Sequence, residues 1–437
     1  MCPPVSAATI MSGHENRTFV GFGFGPIQSG LFLLEAYLSG NFGRYVVAEV
    51  DADLVAAVRA AGNCYTINVA RSDGIDKIAV AGVELCNPSE SAGRRRIVEA
   101  VRESCEMATA LPSVKFYDAA GAASVAAMIA AGLDGRGNHL PTLIYAAENH
   151  NHAAERLAEA LARHGSPQRL AEVQTLNTVI GKMSGVISDV ETIDRLNLAP
   201  MTPGLTKAVL VEEFNHILVS RVRPPARRGI EVFVEKDDLL PFEEAKLYGH
   251  NAVHSLIGYL AQFRGYQTIA AAGADEWIMR IARAAFLEES GQALLKRHAG
   301  LGDALFTPEG YRAYAEDLLE RMACLHLNDL VSRVTRDPLR KLGYHDRLYG
   351  TMVLAMEAGI KPRNLALGAA AAVLMMARQR GLSAGLPWAV VEQAPAAREN
   401  LARLMGQIWG DESGHRAEAL VDLTWEAITC LRAYEES

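Results

Sequence analysis

A lysine, an asparagine and a histidine stand close together in the stretch KLYGHNAVH, which covers residues 246–254. Asn251 follows Lys246 by five positions, and His254 follows Asn251 by three. Residues three or four apart share one face of a helix, and a residue five apart can still point into the same cleft. An amine that takes a proton, beside two neutral hydrogen-bonding groups, can stabilise an alkoxide as it becomes a carbonyl. The pattern therefore indicates alcohol oxidation, a reaction that requires a hydride acceptor.

Simpler interpretations of the same residues stay open. Lys246 could be a surface lysine paired with Glu243, which lies three positions before it. If Lys246 is a base, Glu243 or Glu244 could pass its proton to solvent. His250 and His254 have the spacing of a helical zinc pair, but no adjacent glutamate and no third ligand accompany them.

A glycine-rich segment near the N-terminus could bind the hydride acceptor. The sequence FVGFGFGPIQSGLFLLEAYL predicts a short buried strand, a tight turn and a helix. In such a turn, backbone N–H groups at the helix start face a pyrophosphate, which the helix dipole also favours. Gly23 and Gly25 fill the first two fingerprint positions, and Pro26 suits a first helical turn. Gln28 stands where the third glycine is expected, with Gly30 two residues later; taken alone, the pattern also fits any tight turn.

A second predicted strand, residues 44–51, ends in acidic residues. Glu49 lies 19 residues beyond Gly30, where a carboxylate can accept hydrogen bonds from an adenosine ribose and repel a 2′-phosphate. This position favours NAD over NADP. Alternatively, Glu49 or Asp51 caps the helix that follows.

The length and composition predict an ordinary two-domain globular protein. The chain has 437 residues, 50% hydrophobic and 22% charged, with a net charge of −8 and a pI near 5.9. Nothing in this balance attracts nucleic acid, so we expect no nucleic-acid partner. The turn at residues 237–241 predicts a boundary between domains at 17–240 and 241–437.

Strand-like and helix-like segments alternate before that boundary, which predicts an α/β fold with a doubly wound parallel sheet. Beyond it the pattern is almost wholly helical. The predicted strands further along the first part are residues 64–69, 78–86, 114–118 and 142–148, with helices at 97–111 and 122–133 and a loop at 134–142.

Polar residues follow the strand that ends at Glu148. His150 and His152 could be metal ligands, although no further ligand follows at a persuasive spacing. Capping of the next helix by Asn149 or Asn151 is the more common reason for such residues.

The sequence gives no sign of secretion or of membrane insertion. The first residues do not form a signal peptide, and the longest apolar run, near residue 370, is too short to span a bilayer. The cysteines are scattered without a CxxC pair, so we expect reduced thiols in a cytoplasmic protein. These are Cys2, Cys64, Cys86, Cys105, Cys324 and Cys430.

Several segments together resemble the polyol-specific long-chain dehydrogenases, and within them the mannitol-1-phosphate 5-dehydrogenase branch. The resemblance spans residues 19–376 and is most specific in the Lys-x4-Asn-x2-His signature beginning at Lys246. The other matching segments are GFGPIQSG (23–30), AENH (147–150), LNTVIGKM (176–183), RVTRDPLRKLGYHDRLYG (333–350) and GIKPRNLALGAAAA (359–372). The sequence departs from the family at Gln28, after Asn149, and in the tail from residue 381.

This resemblance implies a Rossmann-type N-terminal domain, a mostly α-helical C-terminal domain, NAD as cofactor and no metal. It makes Lys246 the general base, Asn177 and Asn251 the groups that hold the developing oxyanion, and His254 a group that orients the reacting oxygen. The implied cofactor-binding residues are Gly23, Gly25, Pro26, Ile27, Gly30, Glu49 and Asn149. The implied substrate residues are Arg333 and Lys341 for the hydroxyls and Arg336 and Arg340 for a phosphate, although these cations could instead form a solvated helix end.

The sequence therefore predicts an NAD-dependent oxidoreductase that interconverts a sugar-alcohol phosphate and a ketose phosphate, of the mannitol 1-phosphate and fructose 6-phosphate type. Three alternatives remain: the same chemistry on an unphosphorylated polyol or a hexuronate, a non-catalytic nucleotide-binding regulator, and a metal-dependent alcohol dehydrogenase. The expected partner is a small polyol or its phosphate, with no membrane involved. The oligomeric state is left open, a monomer included.

Overall fold

The computed structural model describes residues 17–119, 121, 124–137 and 140–436. The chain forms two compact units, one ending at Leu240 and the other beginning at Pro241. Parts of two predicted segments, the helix at 122–133 and the loop at 134–142, lie outside the described residues, as does the N-terminal stretch with Cys2. Among the described residues no two cysteines form a disulfide.

The first unit is built on strands that are short and mostly apolar. They are β1 (Thr18–Phe22), β2 (Arg44–Ala48), β3 (Cys64–Ala70), β4 (Ile75–Ala81), β5 (Val83–Cys86), β6 (Ser104–Thr109), β7 (Thr142–Ala146), β8 (Val173–Val179), β9 (Ser184–Ile187), β10 (Ala208–Glu212), β11 (Leu218–Ser220) and β12 (Val234–Lys236).

Eight of these strands form the main sheet, in the order β12-β11-β8-β7-β6-β1-β2-β5. From β5 to β8 all neighbours are parallel, and their order along the chain is the 3-2-1-4-5-6 order of a Rossmann sheet. Phe19 packs into one apolar core and Val20 into another, because successive side chains of a strand point to opposite faces. Both faces are therefore covered, as a parallel sheet requires, and the predicted fold class is confirmed.

The remaining strands form a second sheet in the order β4-β3-β10-β9. β3 pairs with β10 in parallel and with β4 in antiparallel orientation, and β9 closes the sheet against β10. The helices of this unit are α1 (Leu33–Ser39), α2 (Ala52–Ala60), α3 (Ser91–Glu103), α4 (Val125–Asp134), α5 (Ala153–Ala162), α6 (Pro167–Leu170) and α7 (Val190–Arg195).

Three local predictions in this unit were wrong. The segment 78–86 is not one strand, because Gly82 has a positive φ of 74° and turns the chain between β4 and β5. The helix predicted at 97–111 ends at Glu103, and the chain continues at once as β6. The strand predicted at 114–118 is instead a short 3₁₀ turn over Val114–Phe116, where the Ser113 side chain accepts the backbone N–H of Lys115.

The second unit is mostly helical in its described residues, as predicted. Its helices are α8 (Leu240–Glu244), α9 (Ala252–Phe263), α10 (Ile269–Gly273), α11 (Glu276–Ala284), α12 (Gln292–Arg297), α13 (Pro308–Met322), α14 (Val331–Val334), α15 (Pro338–Lys341), α16 (Tyr349–Glu357), α17 (Arg363–Arg378), α18 (Trp388–Gln393), α19 (Arg398–Trp409) and α20 (Ala417–Glu435). Two π-helical segments, Ala245–Asn251 and Ala285–Gly291, interrupt the α-helical geometry.

The core of the second unit forms where α9 packs against the alanine-rich α17. A Cβ on Gly368 would lie 3.1 Å from atoms of Leu256, so the small residues of α17 allow the two helices to approach closely. The apolar run near residue 370 is thus a buried helix, as its length indicated. No helix in the described part of the chain combines the length and apolar character that crossing a bilayer requires.

Candidate functional site

The glycine-rich turn follows β1 and leads directly into a helix that begins at Pro26. Gly23 has a φ of +84°, and a Cβ there would lie 2.7 Å from the carbonyl oxygen of Ala110, so only glycine fits. A Cβ on Gly30 would lie 2.6 Å from Val211. Gly25, in contrast, faces open space with no atom within 4 Å of its Cβ position. Gly23 and Gly30 are required by the fold, and Gly25 leaves room for a ligand.

Gln28 occupies the third glycine position of the fingerprint, and its side chain is fully buried. A Cβ on Gly21 would lie 2.2 Å from the Gln28 amide nitrogen, so the missing side chain on β1 provides the space for this amide. Neither polar atom of the amide has a hydrogen-bond partner in the described structure. Close packing of helix on strand is thus retained by moving the glycine from the helix to the strand.

Glu49 and Asp51, the two acidic residues after β2, accept hydrogen bonds from different parts of the chain. The Glu49 carboxylate accepts hydrogen bonds of 2.8 Å from the backbone N–H of Phe24 and from that of Asp51. Asp51 caps α2 by accepting from the N–H groups of Asp53 and Leu54. The capping interpretation therefore holds for Asp51, whereas Glu49 joins the end of β2 to the glycine-rich turn.

These elements enclose a cavity of about 630 Å³ at the carboxyl ends of β1, β2 and β6, where ligands bind in doubly wound sheets. Its lining is apolar apart from Glu49 and backbone groups. The predicted cofactor residues Gly23, Gly25, Pro26, Ile27 and Glu49 all line it, together with Phe116, Val125 and Met128. Gly30 and Asn149 do not contribute to the lining; Asn149 is exposed beyond the end of β7.

Capping at the end of β7 differs from the prediction. His152 is the N-cap residue of α5 and makes no side-chain cap bond, so neither Asn149 nor Asn151 caps this helix. The Asn177 carbonyl oxygen instead accepts the N–H of Ala154 at 2.8 Å, and its amide nitrogen donates to Glu155 at 2.9 Å. Asn177 is therefore fixed by α5, with its second amide hydrogen still available as a donor.

Glu148 is a buried carboxyl that the sequence did not single out. It accepts hydrogen bonds from the Thr109 hydroxyl at 3.0 Å, the Leu111 N–H at 2.9 Å and the Tyr117 hydroxyl. Burial raises its pKa, although these donors oppose the shift. Its bonds join the ends of β6 and β7, which gives it a structural role.

In the second unit, Lys246 and Asn251 lie on the π-helical segment Ala245–Asn251. A π-helix closes its hydrogen bonds between residues five apart, so residues at this separation lie one turn apart on one face. The π-helical backbone therefore places Lys246 and Asn251 more nearly on one side of the helix than an α-helix would. His254 follows on the first turn of α9.

The environment of Lys246 favours its neutral form. Lys246 is half-buried, and burial together with the positive charge of Arg347 lowers its pKa to about 8, whereas Glu243 opposes the shift. A lysine with this pKa can take and return a proton near neutral pH. Glu244, the other proposed relay, instead accepts from His298 at 2.8 Å.

His254 forms a hydrogen-bonded group with two residues from beyond α13. Its Nε2 lies 2.8 Å from Oδ2 of Asp329, and Arg333 donates to Oδ1 of the same carboxylate at 2.6 and 2.8 Å. Burial alone would raise the pKa of Asp329, but the bond from His254 and the charge of Arg333 bring it below its ordinary value. Sequence reasoning missed Asp329, although LNDLVSRV places it four residues before Arg333.

The predicted substrate cations differ in whether their side chains already bond to other groups of the protein. Lys341 is buried and donates to the carbonyl oxygens of Val334, at 2.5 Å, and Arg336, and burial lowers its pKa to about 7. Arg340 bonds Asp337 at 2.8 Å and Asp346 at 3.2 Å. The Arg336 side chain is exposed. Lys341 is thus part of the packing that shapes this region, and of the two predicted phosphate ligands Arg340 is already paired.

A zinc site at His250 and His254 finds no support in the geometry. His250 is buried, and burial lowers its pKa well below the ordinary value, with His254 and nearby cations adding to the shift. No group of three potential metal ligands occurs among the described residues.

Comparison with known protein families finds a match within the second half of the chain. Residues 238–400 match the Mannitol dehydrogenase C-terminal domain. The segment contains Lys246, Asn251, His254 and all four predicted substrate cations.

Two solved structures share the fold across nearly the whole chain. A substrate-free D-sorbitol dehydrogenase aligns with a TM-score of 0.74 and 14% identity, covering 97% of this chain and 95% of its own. Mannitol 2-dehydrogenase of Pseudomonas fluorescens, in a ternary complex with NAD and D-mannitol, aligns with a TM-score of 0.70 and 16% identity, covering 96% of this chain and 92% of its own. At these identities the likeness concerns the fold.

Proposed function

We propose that this protein is an NAD-dependent oxidoreductase that interconverts a sugar alcohol and a ketose, with Lys246 as general base and no metal. The observation that carries the proposal is a lysine with a pKa of about 8, one π-helical turn from an asparagine amide. The match of residues 238–400 to the Mannitol dehydrogenase C-terminal domain supports the same chemistry.

The first unit fits a dinucleotide. Gly25 offers an open approach to backbone N–H groups at a helix start, and the adjoining cavity of about 630 Å³ is apolar with a single acid, Glu49. Apolar walls suit an adenine ring, and Glu49 suits a ribose without a 2′-phosphate. A structural relative was solved with NAD bound, which supports NAD as the cofactor.

The step that we assign to the second unit is the transfer of a proton between the substrate hydroxyl and Lys246. Neutral Lys246 takes the proton of the substrate hydroxyl, while the Asn251 amide donates a hydrogen bond to the oxygen as its charge grows. Asn177 is proposed as a second amide donor. When bound, NAD supplies the acceptor for the hydride that leaves the carbinol carbon. In ketose reduction the protonated Lys246 returns the proton.

We propose a sugar-alcohol phosphate as the first substrate to test, with Arg336 and Arg340 as phosphate ligands. Guanidinium groups bind phosphate bidentately, and Arg336 is exposed and available. An unphosphorylated polyol is the second candidate, and the pairing of Arg340 with Asp337 and Asp346 favours it.

Rates of NADH oxidation with fructose 6-phosphate and with fructose separate these substrates. If the phosphate is bound, Arg336→Ala should lower kcat/KM for the ester about tenfold to a hundredfold, the loss of one charge-assisted contact, and leave the free ketose unaffected. Arg378→Ala, at an exposed ion pair with Glu435, is the matched control. Equal losses with both ketoses would exclude Arg336 as a phosphate ligand. NADH binding without turnover on any ketose would instead indicate a non-catalytic nucleotide-binding regulator.

A further inference from the structure

Asp329 is held rigidly beside His254. Its backbone carbonyl accepts the N–H of Ile269 at 2.8 Å, and the neighbouring residues Thr268 and Leu330 form a β-bridge. Its side chain is only 4% exposed, against 14% for His254. A carboxylate buried this deeply needs partners that satisfy both oxygens, and His254 and Arg333 supply them.

The ionisation of Asp329 decides which atom is the donor in its hydrogen bond with His254. The Asp329 carboxylate is ionised, because the Arg333 guanidinium lies 2.6 and 2.8 Å from its Oδ1 and favours the negative charge, and an ionised carboxylate only accepts hydrogen bonds. Nε2 of His254 must therefore carry the hydrogen. In the neutral ring this leaves Nδ1 as the free nitrogen, and a nitrogen without hydrogen is an acceptor.

We propose that Asp329 is a positioning residue that fixes His254 in its Nε2–H tautomer, so that Nδ1 accepts a hydrogen bond from a substrate hydroxyl. The inference rests on the proposed function and sharpens it, because His254 then recognises an O–H donor instead of donating to the substrate. Arg333, which the sequence suggested as a direct hydroxyl ligand, acts here by balancing the charge of Asp329. A buried acid that orients a functional imidazole is a recurrent arrangement in proteins.

A double-mutant cycle tests whether Asp329 affects turnover through His254. Asp329→Asn should lower kcat on the ketose that wild type reduces by about tenfold to a hundredfold, the usual loss when the partner orienting a functional histidine is removed. In a His254→Ala background the same change should add little, because the residue through which Asp329 acts is gone. Asp422→Asn, at an exposed pair with Arg398, is the matched control and should leave kcat unchanged. An equal loss in both backgrounds would overturn the proposal, since it would indicate a structural effect.

A spectroscopic measurement is independent of turnover. In protein labelled with ¹⁵N-histidine, the His254 ring signals, assigned by their absence in His254→Ala, should show hydrogen on Nε2 in wild type. In Asp329→Asn the tautomer should shift towards Nδ1–H or become mixed. Nδ1–H in wild type would overturn the proposal even if Asp329→Asn fails to fold. Absence of turnover in wild type would instead contradict the proposed function and leave the tautomer result standing.

Discussion

The side-chain amide of Gln28 lies against the Cα of Gly21, in the space that a methyl group at position 21 would fill. The helix after the turn therefore packs on β1 although the fingerprint lacks its third glycine. Two glycines of this region therefore have different roles. Gly21 leaves space for the side chain of Gln28, whereas Gly25 faces open space.

Alanine at these two positions should have opposite consequences. Gly21→Ala forces Gln28 to move in a packed interior and should lower the free energy of unfolding by about 1–3 kcal/mol. Gly25→Ala meets nothing in the protein and should leave stability nearly unchanged, but weaken NADH binding on the order of tenfold. Thermal unfolding and NADH titration of both variants check this. Normal NADH affinity in Gly25→Ala would remove the turn from the proposed cofactor site.

Glu49 should control the choice between NAD and NADP. Glu49→Gln keeps a hydrogen-bonding oxygen and removes the charge that repels a 2′-phosphate, so the ratio of the NADPH to the NADH dissociation constant should fall about tenfold. Asp51→Asn is the control, since Asp51 caps α2 and does not line the cavity. It should leave the ratio unchanged, and an unchanged ratio in Glu49→Gln would contradict the role of Glu49.

The pH dependence of turnover should follow the titration of Lys246. A base must be neutral, so kcat/KM for polyol oxidation should rise with pH and level off above about 8, the pKa of Lys246. Ketose reduction needs the protonated amine and should fall over the same range. A value of kcat/KM for oxidation that does not change between about pH 6 and about pH 9, a range that includes the pKa of about 8, would exclude Lys246 as the titrating base.

Two charge changes near Lys246 should move this midpoint in opposite directions. Arg347→Gln removes a cation that disfavours the ammonium, so the pKa should rise and the oxidation profile should shift to higher pH. Glu243→Gln removes an anion that favours the ammonium, so the profile should shift to lower pH. Shifts of the same sign in both variants would mean that another group titrates.

The sequence was sufficient for the overall fold because hydrophobic alternation and the glycine-rich turn are local signals. It was insufficient at β6, where the buried residue Glu106 looks like part of a polar helix face. Glu106 is tolerated inside the sheet because Tyr145, Arg17 and the backbone of Gly229 bond its carboxylate, and these partners are distant in sequence.

The candidate site shows the same limit. The spacing of Lys246, Asn251 and His254 indicated the chemistry, but α- and π-helical turns use the same residue types, so the π-helical segment could not be predicted. Asp329 forms a hydrogen bond with His254 although the two residues are 75 positions apart, and Arg347, in the turn before α16, lowers the pKa of Lys246. Such contacts follow from packing, which one sequence does not specify.

The most direct test of the central claim is the turnover of Lys246→Ala on the ketose that wild type reduces, measured together with NADH binding. Lys361→Ala, at an exposed ion pair with Glu426 in the same unit, is the matched control. Lys246→Ala should lose on the order of a hundredfold to ten-thousandfold in kcat while its NADH dissociation constant stays that of wild type. Near-normal turnover in this variant would contradict the assignment of Lys246 as the base.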